Sequence, residues 1–383
     1  MRKILNYGMV GGSLDAFIGG VHRISASFDG RAFLKCGCFS HRPEKNRETG
    51  EFYQLDEDRI YSSYEEMAEK ESVRSDGIDF VSITVQNDLH YPAAKAFLSR
   101  GIHVLCEKPL CFEVSEAEEL KKLAEENNLL FAVNYSYSGN NMVKEAREII
   151  RQGDIGEIIN VNAEFLQEWL IDDVGAGDDT MIKLSMWRKD PAQSGISNCV
   201  GDIGSHIEHT VAYMTGLRLS RVAAKLDNFG QPLDLNANML VEYDNGVHGV
   251  YSCSQVCAGH MNGLVVRIFG TKGAVEWQQE TPDVLYVTSK GQPMQVYNRG
   301  MGYLSVRAEE MNLLPSGHPE GLYSAFANIY RAWISAVLKK VNGEEPVGGD
   351  LDFPNIDDGI AGVKFIRAAV ESSERDAAWI KVN

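Results

Sequence analysis

Five short apolar runs separated by segments of helical spacing occupy the first third of the chain, and this alternation constrains the fold more than any single motif. Residues 4–10, 32–39, 79–84, 102–106 and 129–134 read as strands. Residues 18–28, 64–71 and 92–99 carry helical spacing between them. Ser115, with Glu118 three positions on, reads as a capping box that opens a further helix. Such alternation predicts βαβ units, hence an α/β domain built on a parallel sheet with helices on both faces. After about Asn134 the pattern changes. A helix over 140–152 leads into long alternating segments at 158–167, 221–229, 237–243, 247–256, 264–269 and 274–278. Asp244-Asn245-Gly246 and Thr271-Lys272-Gly273 have hairpin-turn character, so this part reads as a mostly antiparallel sheet in an α+β domain. Helices near 322–340 and 357–373 close the chain. At 383 residues two domains are expected, α/β over 1–134 and α+β over 135–383.

Composition narrows the function classes. A formal charge of −17 disfavours nucleic acid and anionic membrane as partners, since both demand clustered Lys and Arg. No uninterrupted apolar stretch approaches the roughly 20 residues of a bilayer span. Residues 4–10 run into glycines without a secretory cleavage pattern. Seven scattered Cys suit a reducing compartment, so the chain reads as a cytoplasmic protein. Cys36 and Cys38 share one face of a strand and are expected in the core. No metal is expected, because the H-x-x-H pair His206 and His209 has no third ligand at zinc spacing.

Residues able to do chemistry gather where the expected strands end. Gly8-Met9-Val10-Gly11-Gly12-Ser13, with Gly19, joins the first strand to the first helix. Gly11 and Gly12 let the backbone approach a pyrophosphate, and the helix N-terminus favours the anion. Asp15 in this turn adds an opposing negative charge. Ser40 and Arg42 stand where an NAD site usually ends its second strand in Asp or Glu. Ser plus Arg suits a 2′-phosphate better than a diol, so NAD or NADP is expected, with a lean to NADP. Thr84, Asn87 and His90 leave the third strand, and Glu107-Lys108-Pro109 leaves the fourth. A Lys at a strand's C-terminal end, followed by a rigid Pro, sits where open α/β sheets bind ligands. Farther on, Asp202 and His206 are four apart and on a helix would share a face. A carboxylate beside an imidazole can fix its tautomer and raise its basicity, as a general base requires.

Four motifs stand in order: the glycine turn ending in His22-Arg23, the T-x-x-N-x-x-H run from Thr84 to His90, Glu107-Lys108-Pro109, and Gly201-Asp202-Ile203-Gly204-Ser205-His206. Over essentially its whole length the chain resembles the Gfo/Idh/MocA family, the glucose-fructose oxidoreductase and inositol dehydrogenase group. Asp15 to Arg23 is similar to the G-A-F-I-G-x-V-H-R loop of the branch with levoglucosan dehydrogenase-like and glucoside 3-dehydrogenase-like enzymes. Departures are Ser13 and Asp15 where glycines are usual, and Gln86 where Pro is usual. The resemblance implies a Rossmann domain followed by a domain with an open, largely antiparallel sheet, assembled as a homodimer or homotetramer. It implies cofactor contacts from Gly11, Gly12, Phe17, Ile18, Ser40, Arg42, Thr84, Asn87, His90, Glu107 and Lys108. It also implies that Lys108, Asp202 and His206 form the catalytic group.

The activity so implied is NAD(P)-dependent oxidation of a secondary hydroxyl on a cyclic sugar, glycoside or polyol. His206 would take the hydroxyl proton and Lys108 would stabilise the developing alkoxide. Tyr135 and Tyr137, as one pocket wall, with Trp187, Arg188 and His318 are expected to join Lys108, Asp202 and His206 as substrate contacts, being polar or aromatic groups of the kind sugars need. Rival activities on the same scaffold are an NAD-dependent glycoside-cleaving hydrolase or lyase, and a glycoside 3-oxidoreductase whose tightly bound cofactor is reduced only transiently. A non-catalytic ligand-sensing regulator is a third. The intact Lys108, Asp202 and His206 argue against the regulator.

Overall fold

Strands that are apolar on both faces must be covered on both faces. In the computed structural model, which describes residues 2–174 and 187–382, such strands form the centre of the first sheet. β1 (Leu5–Gly11), β2 (Ala32–Cys38), β3 (Phe80–Thr84), β4 (His103–Cys106) and β5 (Phe131–Val133) run parallel in the order β2-β1-β3-β4-β5. Every residue of β3, β4 and β5 is buried. The order reverses between β1 and β3, so their C-terminal ends flank a topological switch point. Helices Phe17–Ala26, Pro43–Phe52, Tyr64–Val73, His90–Leu98 and Val114–Glu126 alternate with the strands.

One helix carries no sequence signal, and one local reading needs correction. The helix Pro43–Phe52 is too polar to show an apolar period, although Pro43 at its first turn is a fitting start. The capping box of the helix Val114–Glu126 is formed by Glu113 and Glu116, not by Ser115 and Glu118. The Glu116 carboxylate accepts from the N–H groups of Phe112 at 3.2 Å and Glu113 at 3.1 Å, which sets the helix start ahead of Ser115.

The chain divides into two units, Met1–Ser136 with Leu322–Ile360, and Tyr137–Gly321 with Ala361–Asn383. Periodicity alone assigned everything after residue 134 to the second domain. The helix Leu322–Val341 instead belongs with the first, because its stripe of Phe326, Ile329, Tyr330, Trp333, Ile334 and Val337 is large, mostly apolar and needs cover. It finds that cover in the cluster that includes Leu5, Tyr7, Phe80 and Leu105. Trp333 meets Phe80 edge-on at 5.9 Å.

In the second unit β6 (Ile158–Leu166), β7 (Leu219–Asp227), β8 (Asn236–Tyr243), β9 (His248–Ser254), β10 (Gly263–Gly270), β11 (Gly273–Gln278), β12 (Val284–Ser289), β13 (Gln295–Asn298) and β14 (Ile380–Lys381) form one nine-stranded sheet. Among the described residues, only its β6–β9 pair is parallel. Both expected hairpins are present, β8–β9 and β10–β11, and Gly246 takes the left-handed conformation the first turn requires. Burial alternates along β8, β9 and β10. One face packs beneath Val143, Ala146 and Ile149 of the helix Asn141–Gln152 and Ile207 and Val211 of the helix Ser205–Thr215. Among the described residues no helix is long and apolar enough to cross a membrane.

Candidate active site

In the first unit the predicted cofactor residues lie at one edge of the sheet, because each follows a strand's C-terminal end. Gly11 and Gly12 hold φ of 78° and 72°, where side chains are strained. A Cβ on Gly19 would run into the Gly12 backbone, so helix and turn touch through bare backbone. The helix Phe17–Ala26 has no side-chain cap and no acid in its first turn, which leaves its N-terminal N–H groups and dipole available to an anion. This cradle fits a dinucleotide pyrophosphate. Asp15, the unfavourable charge of the sequence reading, is ion-paired with Lys45. Phe17 is exposed and Ile18 half-buried. Ser40 Oγ accepts from the Arg42 N–H at 3.2 Å, and Arg42 is exposed. Thr84 is the register partner of Gly11 and donates to Val10 O at 3.1 Å.

Below this edge a buried polar network supports Lys108. Glu107 Oε1 accepts from His22 Nε2 at 2.6 Å and Asn134 Nδ2 at 2.5 Å, while Oε2 accepts from the Lys108 N–H at 3.2 Å. His22 Nδ1 faces the Tyr330 hydroxyl at 2.8 Å, which in turn meets Ser82 Oγ at 2.8 Å. Burial alone would raise the Glu107 carboxyl; the bonds from His22 and Asn134 and the charge of Lys108 hold it below the usual range. His90 lies under the same loop, Nδ1 2.7 Å from Pro109 O and Nε2 3.1 Å from Val85 O. Burial lowers its pKa against those carbonyls. Asn87 is buried at the start of a short 3₁₀ turn, Lys108 is half-buried, and the Lys108–Pro109 peptide is cis. Of this network only His22 and Glu107 fall in recognisable motifs. Asn134, Ser82 and Tyr330 carry no local signal.

In the second unit Asp202 sits in a π turn, Val200–Gly204, that runs straight into the helix Ser205–Thr215 bearing His206. The segment is thus not a regular α-helix across both residues, and such widened turns recur at functional sites. Asp202 Oδ2 accepts from Gln255 Nε2 at 3.0 Å, and Oδ1 lies 3.7 Å from Arg188 Nε. The Arg188 guanidinium stacks 4.7 Å over the Trp187 ring. His206 is walled by Tyr137, ring to ring at 4.7 Å, and by Phe165 at 6.3 Å. Trp187, Arg188, Asp202 and His206 therefore belong to one region of one unit. Tyr135 differs: it is fully buried in the first unit, and the tyrosine that meets His206 is Tyr137. His318 is exposed on a loop whose carbonyl accepts from Arg299 at 2.6 Å. Arg299, buried and paired with Asp283 and Glu320, organises that loop and carries no sequence signal. Among the described residues no group of three or more His, Cys, Asp and Glu is placed to hold a metal ion.

Residues 5–135 match the oxidoreductase family with NAD-binding Rossmann fold, and residues 143–276 match the GFO/IDH/MocA C-terminal domain. An uncharacterised oxidoreductase of Bacillus subtilis, YfiI, is 35% identical over 386 residues, covering 100% of this chain and 98% of its own. The chain belongs to the Gfo/Idh/MocA family. It is an NAD-dependent oxidoreductase of that family. An inositol dehydrogenase homolog of Azotobacter vinelandii, solved with NAD+, is 35% identical with a TM-score of 0.93, covering 100% of this chain and 98% of that one. Levoglucosan dehydrogenase, solved with NADH and L-sorbose, has a TM-score of 0.84 at 22% identity over 99% of both chains and so shares the fold.

Proposed function

We propose that this Gfo/Idh/MocA enzyme oxidises a secondary hydroxyl of a cyclic sugar, glycoside or polyol to the ketone. The observation that carries the reading is the grouping of Asp202, Arg188 and Trp187 beside the aromatic-walled His206. A carboxylate, a guanidinium and an indole face offer acceptors, donors and an apolar surface, the combination a polyol ring needs. The A. vinelandii inositol dehydrogenase homolog in complex with NADH and myo-inositol, 34% identical over 100% of this chain with a TM-score of 0.91, supports it. Bound NAD would accept the hydride. His206 takes the hydroxyl proton, Asp202 orients the substrate, and Lys108 donates to the oxygen as negative charge develops. A panel of inositols, free sugars and glycosides, each mixed with NAD, is expected to give steady growth of the near-ultraviolet absorbance of NADH with at least one ring polyol. Glycoside cleavage without net NADH would replace this reading with the hydrolase.

Arg42 is proposed to set use of the phosphorylated cofactor. It is exposed after β2, beside Ser40, and a guanidinium suits an added phosphate better than a diol. Arg42→Ala is expected to lower kcat/KM with NADP by about 10-fold or more, the worth of a charged hydrogen bond, while NAD changes little. Equal loss with both cofactors removes the 2′-phosphate role.

A further inference from the structure

A run of buried polar side chains in the second unit ends on the Asp202 carboxylate. It begins at Asp234, whose carboxylate accepts from the N–H groups of Asn198 at 2.8 Å and Val200 at 2.9 Å. These bonds anchor the entry to the π turn as a cap anchors a helix. Asn198 Nδ2 then donates to Gln255 Oε1 at 2.7 Å, and Gln255 Nε2 donates to Asp202 Oδ2 at 3.0 Å. Gln255 is 0% exposed, immediately after β9. Its backbone is held as well: its N–H donates to Leu235 O at 2.9 Å and its carbonyl accepts from Leu170 N–H at 3.0 Å.

The polarity of this run is determined. An amide has one acceptor and one donor end. With Oε1 occupied by the Asn198 amide, the NH₂ end must face Asp202; the flipped amide would set two oxygens against each other. We propose that Gln255 is a positioning residue, aiming the Asp202 carboxylate at the substrate from the anchor at Asp234. The inference rests on Asp202 acting on the substrate, as proposed above. It adds a residue outside the four motifs, 53 positions from the group it serves.

The charged and titratable groups around Asp202 define what a test must separate. The Arg188 guanidinium faces Oδ1 at 3.7 Å, and Tyr137 and Cys199 lie near enough to feel the Asp202 charge. Gln255 carries no charge, so its removal takes away aim without removing a counter-charge. A misplacement of a reacting group by about 1 Å can cost on the order of 100-fold in rate.

The test is a double-mutant cycle on the full-length enzyme with NAD and whichever ring polyol it turns over. Gln255→Leu is expected to lower kcat by about 10- to 100-fold. In the Asp202→Asn background the same change should cost less than about two-fold, because the group it aims is already gone. NAD affinity, read by fluorescence titration on each variant, is expected to stay constant, and a thermal unfolding midpoint close to that of the unmodified enzyme reports an intact fold. Gln255→Glu serves as the second variant, close in shape but opposing one carboxylate with another. Its activity relative to the unmodified enzyme should rise as pH falls from about 8 to 6, since a shared proton restores a donor between the two oxygens. Equal losses in both backgrounds, or a Gln255→Glu ratio that ignores pH, would overturn the positioning role alone. Full activity in Asp202→Asn would overturn both this role and the functional reading beneath it.

Discussion

Lys108→Ala should lower kcat/KM by about 10²- to 10³-fold, the cost of deleting one preorganised donor to a developing oxyanion. Glu107 holds the Lys108 N–H at 3.2 Å and is itself gripped by His22 and Asn134, so the peptide carrying the lysine is fixed from below. The glycine cradle lies elsewhere on the sheet edge, at the end of β1, and remains intact in the variant. NAD affinity should therefore change only a few-fold, and the loss should appear in kcat at saturating cofactor. Lys108→Arg keeps the charge but spreads it over a planar fork, and should recover only part of the rate. Turnover near normal in Lys108→Ala at saturating NAD would remove the lysine from the chemistry.

A large acid-side loss of stability is expected from His103. The Leu130 N–H donates to His103 Nδ1 at 2.9 Å, so the folded ring must present a lone pair there. The ring is buried against Trp333, edge-on at 6.4 Å. Burial, helped by the charge of Lys340, lowers its pKa to about 4. The ordinary value is about 6.5, so as pH falls the unfolded chain takes up the proton first. The stabilisation is complete above about pH 6.5 and is lost progressively down to about pH 4, amounting to roughly 3 kcal/mol. Urea unfolding at a series of pH values measures it. Between about pH 7 and 4.5, His103→Gln should lose less stability than the unmodified protein. Parallel curves would show that His103 does not carry this pH dependence.

Much of the first unit was legible because its signals are local. A strand's C-terminal end and the loop after it are adjacent in sequence, so Gly11, Thr84, His90 and Lys108 could be placed on one sheet edge from apolar runs and turns alone. The hairpin turns at Gly246 and Gly273 were legible for the same reason. Polar segments were not, as the helix Pro43–Phe52 illustrates: without an apolar face it has no period to read. The capping box misread at Ser115 has another cause. Glu113 and Glu116 match the same spacing as Ser115 and Glu118, and side-chain geometry chose between them.

By itself, then, the sequence determined the alternation of the first five strands with helices, the two kinds of sheet, the family motifs and the sheet edge on which the expected cofactor residues stand. Tertiary structure alone decided that the helix Leu322–Val341 returns to cover the first sheet. It also decided that Tyr137 is the one of the two expected tyrosines that meets His206, and that Gln255 and Arg188 hold Asp202. The difference is physical. Hydrophobic periodicity is written over a few neighbouring residues, whereas a buried polar group takes its partner from whatever strand or loop the packed core brings within hydrogen-bond reach.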